Sequence, residues 1–353
     1  MADTATASPD RATNIILLIG DGMGLTQLST AYYYGAGTPN FSRFRHIGLH
    51  QNQPVGAKIT DSAAGATAFS AGIKSYNGAI GVDQDTIPQQ TILEWAALAG
   101  KRTGVVATST ITHATPASFY AHVFSRNEHE AIALDFLDAT VDFAAGGGSK
   151  YFGTNRSDGR DILGELEQIG YAVDTTTLPD MAHQNKKHAY LIASDALPKM
   201  SEGRGEFLSQ ATNLALEYLS KDPDGFFLMV EGSQIDWGGH DNDADYVIQE
   251  VLDFDQSVGV ALDFAKRDGN TLVIVTADHE TGGLSLSAPE VFGRGDYRGI
   301  SPTFSTGGHS AALVPVLAYG PGAELFTGIY QNSDIYHKMM RVFGADQMLS
   351  SNP

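Results

Sequence analysis

The strongest constraint on this chain is a set of short apolar runs: NIILLIG (14–20), TGVVATST (103–110), FFLMVEGS (226–233), TLVIVTAD (271–278) and ALVPVLAYG (312–320). Each has strand length and too few polar positions for a sheet face in contact with water, so each reads as a buried strand. Between them lie segments with helical spacing: TILEWAALAG (91–100), GEFLSQATNLALEYLSK (205–221) and NDADYVIQEVLDFDQSVGVALDFAKR (242–267). The Ala- and Gly-rich stretch from Ser62 to Lys74 reads as a further helix with Ser62 near its start. Strands alternating with helices predict an α/β fold, a mostly parallel central sheet flanked by helices. Residues 14–345 then form a single domain behind a flexible segment at 1–13. Residues 127–225 are less regular and partly decorate the domain. AAGGGSK (144–150) reads as a loop, and 284–305 as a small surface insertion.

The strand ends carry the chemistry. Asp21 follows the first run; Glu231, Asp236 and His240 follow FFLMV; Asp278 and His279 end TLVIVTA; His309 sits in STGGHS ahead of the last run. Open parallel sheets gather their sites at the carboxyl ends of strands, so these residues converge if the fold is right. Asp236 and His240 are one helical turn apart and can face one ion. Histidines and carboxylates without cysteine suit Zn²⁺, and surplus carboxylates suit Mg²⁺. Taken singly, each has a plainer reading. An Asp-Gly after a strand is commonly a turn or helix cap, and an Asp-His pair is commonly solvated. EGSQIDWGGH resists that reading, because acids and a histidine with buried flanks are costly unless paired or metal-bound.

Ser62, in TDSAAGATAFSAG, is an N-cap or a nucleophile. No G-x-S-x-G elbow surrounds it and no histidine is near it in sequence, so activation would fall to a metal ion. The balance of 22 basic and 41 acidic residues, net −19, argues against nucleic acid as a specific partner. No run is long and apolar enough for a membrane span. With no cysteine, disulfides and thiolate metal sites are excluded. The polar start MADTATASPDRA has no apolar core of a signal peptide.

GDGMG, TDSAAGATAFSAG, ATSTITHATPASFYAHVFSR, EGSQIDWGGH, TADHETGG and STGGHS occur in an order that resembles the bacterial alkaline phosphatases, nearest their shorter marine or cold-environment type. The resemblance covers residues 14 to about 340. It implies a homodimeric, periplasmic or secreted enzyme that hydrolyses phosphate monoesters to alcohol and inorganic phosphate. The route is a phosphoserine on Ser62, with two Zn²⁺ and one Mg²⁺. By motif, Asp236, His240 and His309 look like ligands of one zinc, and Asp21, Asp278 and His279 of the other. Asp21, Thr115 and Glu231 look like magnesium ligands, and Arg126 like the guanidinium that grips phosphate. His113 stands where some members carry aspartate, beside the third metal. Trp237 stands where some carry lysine, as a pocket wall or as core packing. His122 and His129 are left to structural hydrogen bonds. A phosphodiesterase or sulfatase on the same core, or a phosphate- or metal-binding protein without turnover, are the rival readings. No C/S-x-P-x-R motif surrounds Ser62 to favour a sulfatase.

Overall fold

The computed structural model describes residues 11–291 and 294–345. Its frame is a ten-stranded sheet. In chain order the first strands are β1 (Asn14–Gly20), β2 (His46–Gln51), β3 (Arg102–Thr110) and β4 (Phe143–Gly147). They are followed by β5 (Tyr171–Asp174), β6 (Lys187–Leu191), β7 (Phe226–Gly232) and β8 (Thr271–Thr276), then by strands Val314–Tyr319 and Gly328–Gln331. Across the sheet the order is Gly328–Gln331, β2, Val314–Tyr319, β8, β1, β7, β3, β4, β6, β5. Only Val314–Tyr319 runs against the rest, pairing antiparallel with both β2 and β8. The mostly parallel sheet expected from the apolar runs is the one observed.

β1 shows why such a run makes a central strand. All seven of its residues are buried. Ile15, Leu17 and Ile19 pack into the core on one face, while Ile16 and Leu18 pack into the core on the other. Side chains alternate across a strand, so a two-sided core demands apolar residues at every position. One layer of helices includes Ser62–Ala71, Ile92–Leu98 and Asp334–Phe343; the opposite layer includes Phe207–Leu219 and Ala244–Asp268. The long helix Ala244–Asp268 buries Val247, Val251, Phe254, Val258 and Leu262 along one stripe. Asp243 caps its start by accepting from the Tyr246 N–H, and Gly269, at φ 79°, ends it. Each such fully buried aliphatic side chain contributes about 1.5–3 kcal/mol.

Several expectations change. AAGGGSK is not a loop: Phe143–Gly147 is a buried inner strand between β3 and β6. Its small residues lack β propensity, and burial between two neighbours overrides that. Residues 127–225 therefore supply β4, β5 and β6 to the sheet rather than only decorating it. The helix expected from Ser62 to Lys74 stops at Ala71, where Gly72 turns left-handed at φ 71°. Within 284–305, Ser285–Ser287 pairs with Ser301–Thr303 and Glu290–Val291 with Arg294–Gly295, as two small ladders apart from the main sheet. Of the segment 1–13, residues 1–10 lie outside the described residues. Ala12 is buried and Thr13 donates its N–H to Asn270. Among the described residues no helix is long and apolar enough to cross a membrane.

Candidate metal centre and active site

The residues singled out at strand ends do meet. Asp21 follows β1 directly, Glu231 is the penultimate residue of β7, and Asp278 and His279 follow β8. The short helix Gln234–His240 carries Asp236 and His240, and His309 sits on a two-residue strand paired with Glu280–Thr281. Two glycines let these segments close up. Gly22 has φ 71°, and a Cβ there would lie 2.7 Å from the Asp236 Cα. A Cβ on Gly65, in the helix that Ser62 opens, would lie 2.9 Å from the Asp278 Cβ.

Ligand-type atoms gather within 4.8 Å of one another in three groups: Asp236, His240 and His309; Asp21, Asp236 and His279; and Asp21, His113 and Glu231. The three motif histidines are preset alike. His309 Nδ1 lies 2.8 Å from the Thr60 carbonyl, and His240 Nδ1 lies 2.8 Å from the Gly307 carbonyl. A carbonyl only accepts, so both rings carry their proton on Nδ1. Thr281 spends its hydroxyl hydrogen on Asp236 Oδ1 and so accepts from His279 Nδ1, 3.1 Å away. Every Nε2 is turned inward onto a carboxylate, and the hydrogen bond with Asp236 raises His240 to about 9. His279 Nε2 is 3.2 Å from Asp278 Oδ2 and 3.5 Å from Asp21 Oδ1. His240 and His309 face each other Nε2 to Nε2 at 3.1 Å, with Asp236 oxygens 3.3 and 3.5 Å away. A divalent cation among these atoms would take the place of the protons that the nitrogens and carboxylates otherwise share.

The carboxylates ask for the same thing. Asp21, Glu231 and Asp278 are wholly buried, and Asp236 is nearly so. Burial pushes Asp21 well above the usual carboxylate range, and the Asp278, Asp236 and Glu231 charges push it further. Burial likewise raises Glu231 to about 7, against the hydrogen bond it accepts from Ser233. Burial also acts on Asp278, but His279 beside it holds that carboxyl below the usual range. Asp21 Oδ1 and Oδ2, Glu231 Oε1, Asp278 Oδ2, Thr115 Oγ1 and His113 Nδ1 are buried without a hydrogen-bond partner. Native interiors leave few such atoms, and these cluster at one place. Hard oxygens and imidazole nitrogens are the donor set for Zn²⁺ and Mg²⁺, so the residues present fit divalent cations.

Ser62 is the first residue of its helix, and the cap is Asp61, whose Oδ1 accepts from the Ala64 N–H at 3.0 Å. The capping reading of Ser62 therefore passes to its neighbour, leaving the Ser62 hydroxyl for the site. No histidine is near Ser62 in sequence, but the fold brings one close. His279 Nε2 is 3.3 Å from Ser62 Oγ, brought there by the sheet from 217 residues away. Arg126 reaches over the helix start and donates from Nη1 to Asp61 Oδ2 at 3.0 Å, with both side chains partly exposed.

His113 stands within the third group itself rather than behind it. Burial, then the Arg126 charge, lowers its pKa to about 3, which keeps it neutral. Trp237 packs edge-on against the His113 ring, centroids 5.9 Å apart, and is half-buried, so it touches the site and the protein interior together. His122 bonds Gly81 and Glu94, and His129 bonds Thr112 and stacks on Tyr151: structural roles, as expected. Thr281, which orients both Asp236 and His279, was missed. Its only signal was its place in TADHETGG.

The family model that matches this chain is that of alkaline phosphatase, over residues 12–298. Alkaline phosphatase 3 of Bacillus subtilis is 35% identical, over 92% of this chain and 88% of its own length. The solved alkaline phosphatase of the Antarctic bacterium TAB5 is 54% identical and superposes with a TM-score of 0.93, covering 95% of this chain and 99% of that one. A variant of that enzyme with one histidine replaced by glutamate, solved with Mg bound, is 53% identical with a TM-score of 0.93 and the same coverage.

Proposed function

The chain belongs to the alkaline phosphatase family and is a metal-dependent phosphomonoester hydrolase, and from that premise we propose that it works through a phosphoserine on Ser62 with two zinc ions and one magnesium. The observation that carries this reading is the preset histidine trio, with every Nδ1 bonded outward and every Nε2 turned onto buried carboxylates. In it, Asp236, His240 and His309 hold one zinc; Asp21, Asp278 and His279 hold the other; Asp21, Glu231 and Thr115 hold magnesium, with His113 at the same site. Bound there, the cations supply Lewis acidity that lowers the pKa of an attacking hydroxyl and neutralises phosphate oxygens.

The remaining work falls to the chain's own residues. Ser62 Oγ, at the positive end of its helix, attacks phosphorus while the alcohol departs on the opposite side. Water then attacks the phosphoserine in line, so two inversions leave the configuration at phosphorus unchanged. Arg126 offers a planar fork to two phosphate oxygens, and Asp61 holds that fork over the serine. The doubly charged monoester suits this site better than a diester.

The reading extends to a homodimer in the periplasm or outside the cell. The support for the dimer is an apolar face that none of the described residues covers: Leu25, Tyr32, Ile47 and Ile329 are 58%, 48%, 58% and 70% exposed. In a chain of net charge −19 such an uncharged face is where two copies can meet. Light scattering at twice the chain mass, lost on Ile329→Asp, tests the dimer. Fractionation of cells making the protein tests its location.

The experiment for the site is hydrolysis of p-nitrophenyl phosphate before and after chelation, with Zn²⁺ and Mg²⁺ restored singly and together. Activity should vanish with EDTA and return fully only with both. Full activity in the chelated protein would remove the metal-dependent scheme.

A further inference from the structure

Glu280 follows His279 and is buried, yet it faces none of the three ligand groups. No Lys, Arg or His pairs with it among the described residues. Instead it accepts from neutral donors on separate segments. Gln27 Nε2 donates to its Oε1 at 2.6 Å, the Leu284 N–H donates to Oε1 at 3.2 Å, and the Ser310 hydroxyl donates to Oε2. Gln27 is the third residue of the helix Leu25–Tyr34 that follows Asp21, and it also donates to the Thr281 carbonyl at 2.7 Å. Ser310 is the neighbour of His309 and sits opposite Glu280 in the short ladder. The chain also makes room for this carboxylate. A Cβ on Gly24 would lie 2.3 Å from the Glu280 Cγ, and Gly24 has an ordinary φ of −69°, so the glycine is there for space.

We infer that Glu280 is a positioning residue for the metal centre, tying the segments that carry Asp21, Asp278–His279 and His309 into one register. The inference rests on the ligand assignment above. Three ligand-bearing segments come from positions far apart in the chain, and ordinary strand pairing joins β1 to β8 but stops short of the loops that hold the ligands. The Glu280 carboxylate bridges those loops, and an anion with free lone pairs can take three donors at once. Buried at the start of the loops, it sets their spacing before any ion arrives.

The test is zinc affinity of the full-length chain after chelation, read by competition with a chromophoric chelator, alongside the melting temperature of the metal-free protein. Glu280→Ala should weaken zinc by about 10- to 100-fold, the range for residues that orient ligands. Glu280→Gln should recover most of that loss. Its carbonyl oxygen can still accept from Gln27 and Leu284, and the Ser310 hydroxyl can turn to accept from the amide. If Glu280→Ala does not fold, Gln27→Ala cuts only the tie to the Asp21 helix and should weaken zinc in the same direction by less. Zinc affinity within about two-fold of the unsubstituted chain in the alanine variants would overturn the inference, as would a glutamine variant as weak as alanine. An unsubstituted chain that binds no zinc would instead overturn the ligand assignment itself.

Discussion

Two buried acid clusters in this molecule differ in one respect, and the difference separates function from architecture. Glu250 and Asp253, on the helix Ala244–Asp268, close around Arg204. All three side chains are at most 4% exposed. Glu250 also accepts from the Met200 N–H at 3.0 Å, and the one orphan atom of this cluster is Arg204 Nε. Asp21, Glu231, Asp236 and Asp278 are as deeply buried, but among the described residues no arginine or lysine pairs with them, and Arg126 is engaged with Asp61. A cluster closed by its own cation needs nothing from solution. One that no arginine or lysine closes, with only titratable histidines turned toward the gap, is built to take a cation from outside.

The largest effect that tests this contrast is on turnover. Ser62→Ala removes the hydroxyl that the open cluster serves. The phosphatase rate should fall by several orders of magnitude, on the order of 10⁴-fold or more, while zinc content is retained. A variant that keeps near-normal turnover would mean the open cluster activates water directly and the phosphoserine is not on the path. Arg126→Ala should be milder. Losing a bidentate phosphate contact should lower kcat/KM by roughly 10- to 100-fold, through a higher KM and weaker phosphate inhibition. Unchanged inhibition by phosphate would show that Arg126 serves only to hold Asp61.

The closed cluster should respond in stability alone. Arg204→Met strands two buried carboxylates and should cost about 3–5 kcal/mol in urea unfolding, with the metal content of the folded fraction unchanged. If that variant instead loses zinc, the two clusters are coupled and the contrast fails.

How far this was legible in the sequence follows the same division. The open cluster was readable because each ligand ends a strand that must be apolar throughout, so NIILLIG and TLVIVTA announced both their own burial and the odd polar residue after them. β4 was not readable, because FAAGG gains its strand state from its neighbours and not from its own side chains. The proton positions of His240 and His309 were not readable either. They are set by the Gly307 and Thr60 carbonyls, and a backbone acceptor leaves no trace in residue identity. Ser62 and His279 were linked only through the family resemblance, since nothing in residue spacing alone brings β8 to the helix start.

The smallest effect concerns a third kind of charge pair, on the surface, where water does what a buried counter-ion does inside. His122 Nε2 lies 2.8 Å from Glu94 Oε1, with the side chains 20% and 29% exposed. Burial works against both charged forms, but the bond between them prevails: Glu94 is held below its ordinary value and His122 above. The Glu94 contribution is present above its unfolded pKa of about 4.3 and is lost as pH falls through the lowered folded value. The His122 contribution runs the other way, complete below about 6.5 and lost as pH rises through the raised folded value. The pair therefore stabilises most between those two limits. His122→Gln should cost more near pH 6 than near pH 9, by about 0.2–1 kcal/mol after solvent screening. Urea unfolding of both proteins at the two pH values, after chelation so that metal loss does not intrude, measures it. An equal cost at both would mean that His122 holds Gly81 and Glu94 as a neutral ring, and that the charge in this third pair contributes nothing to the fold.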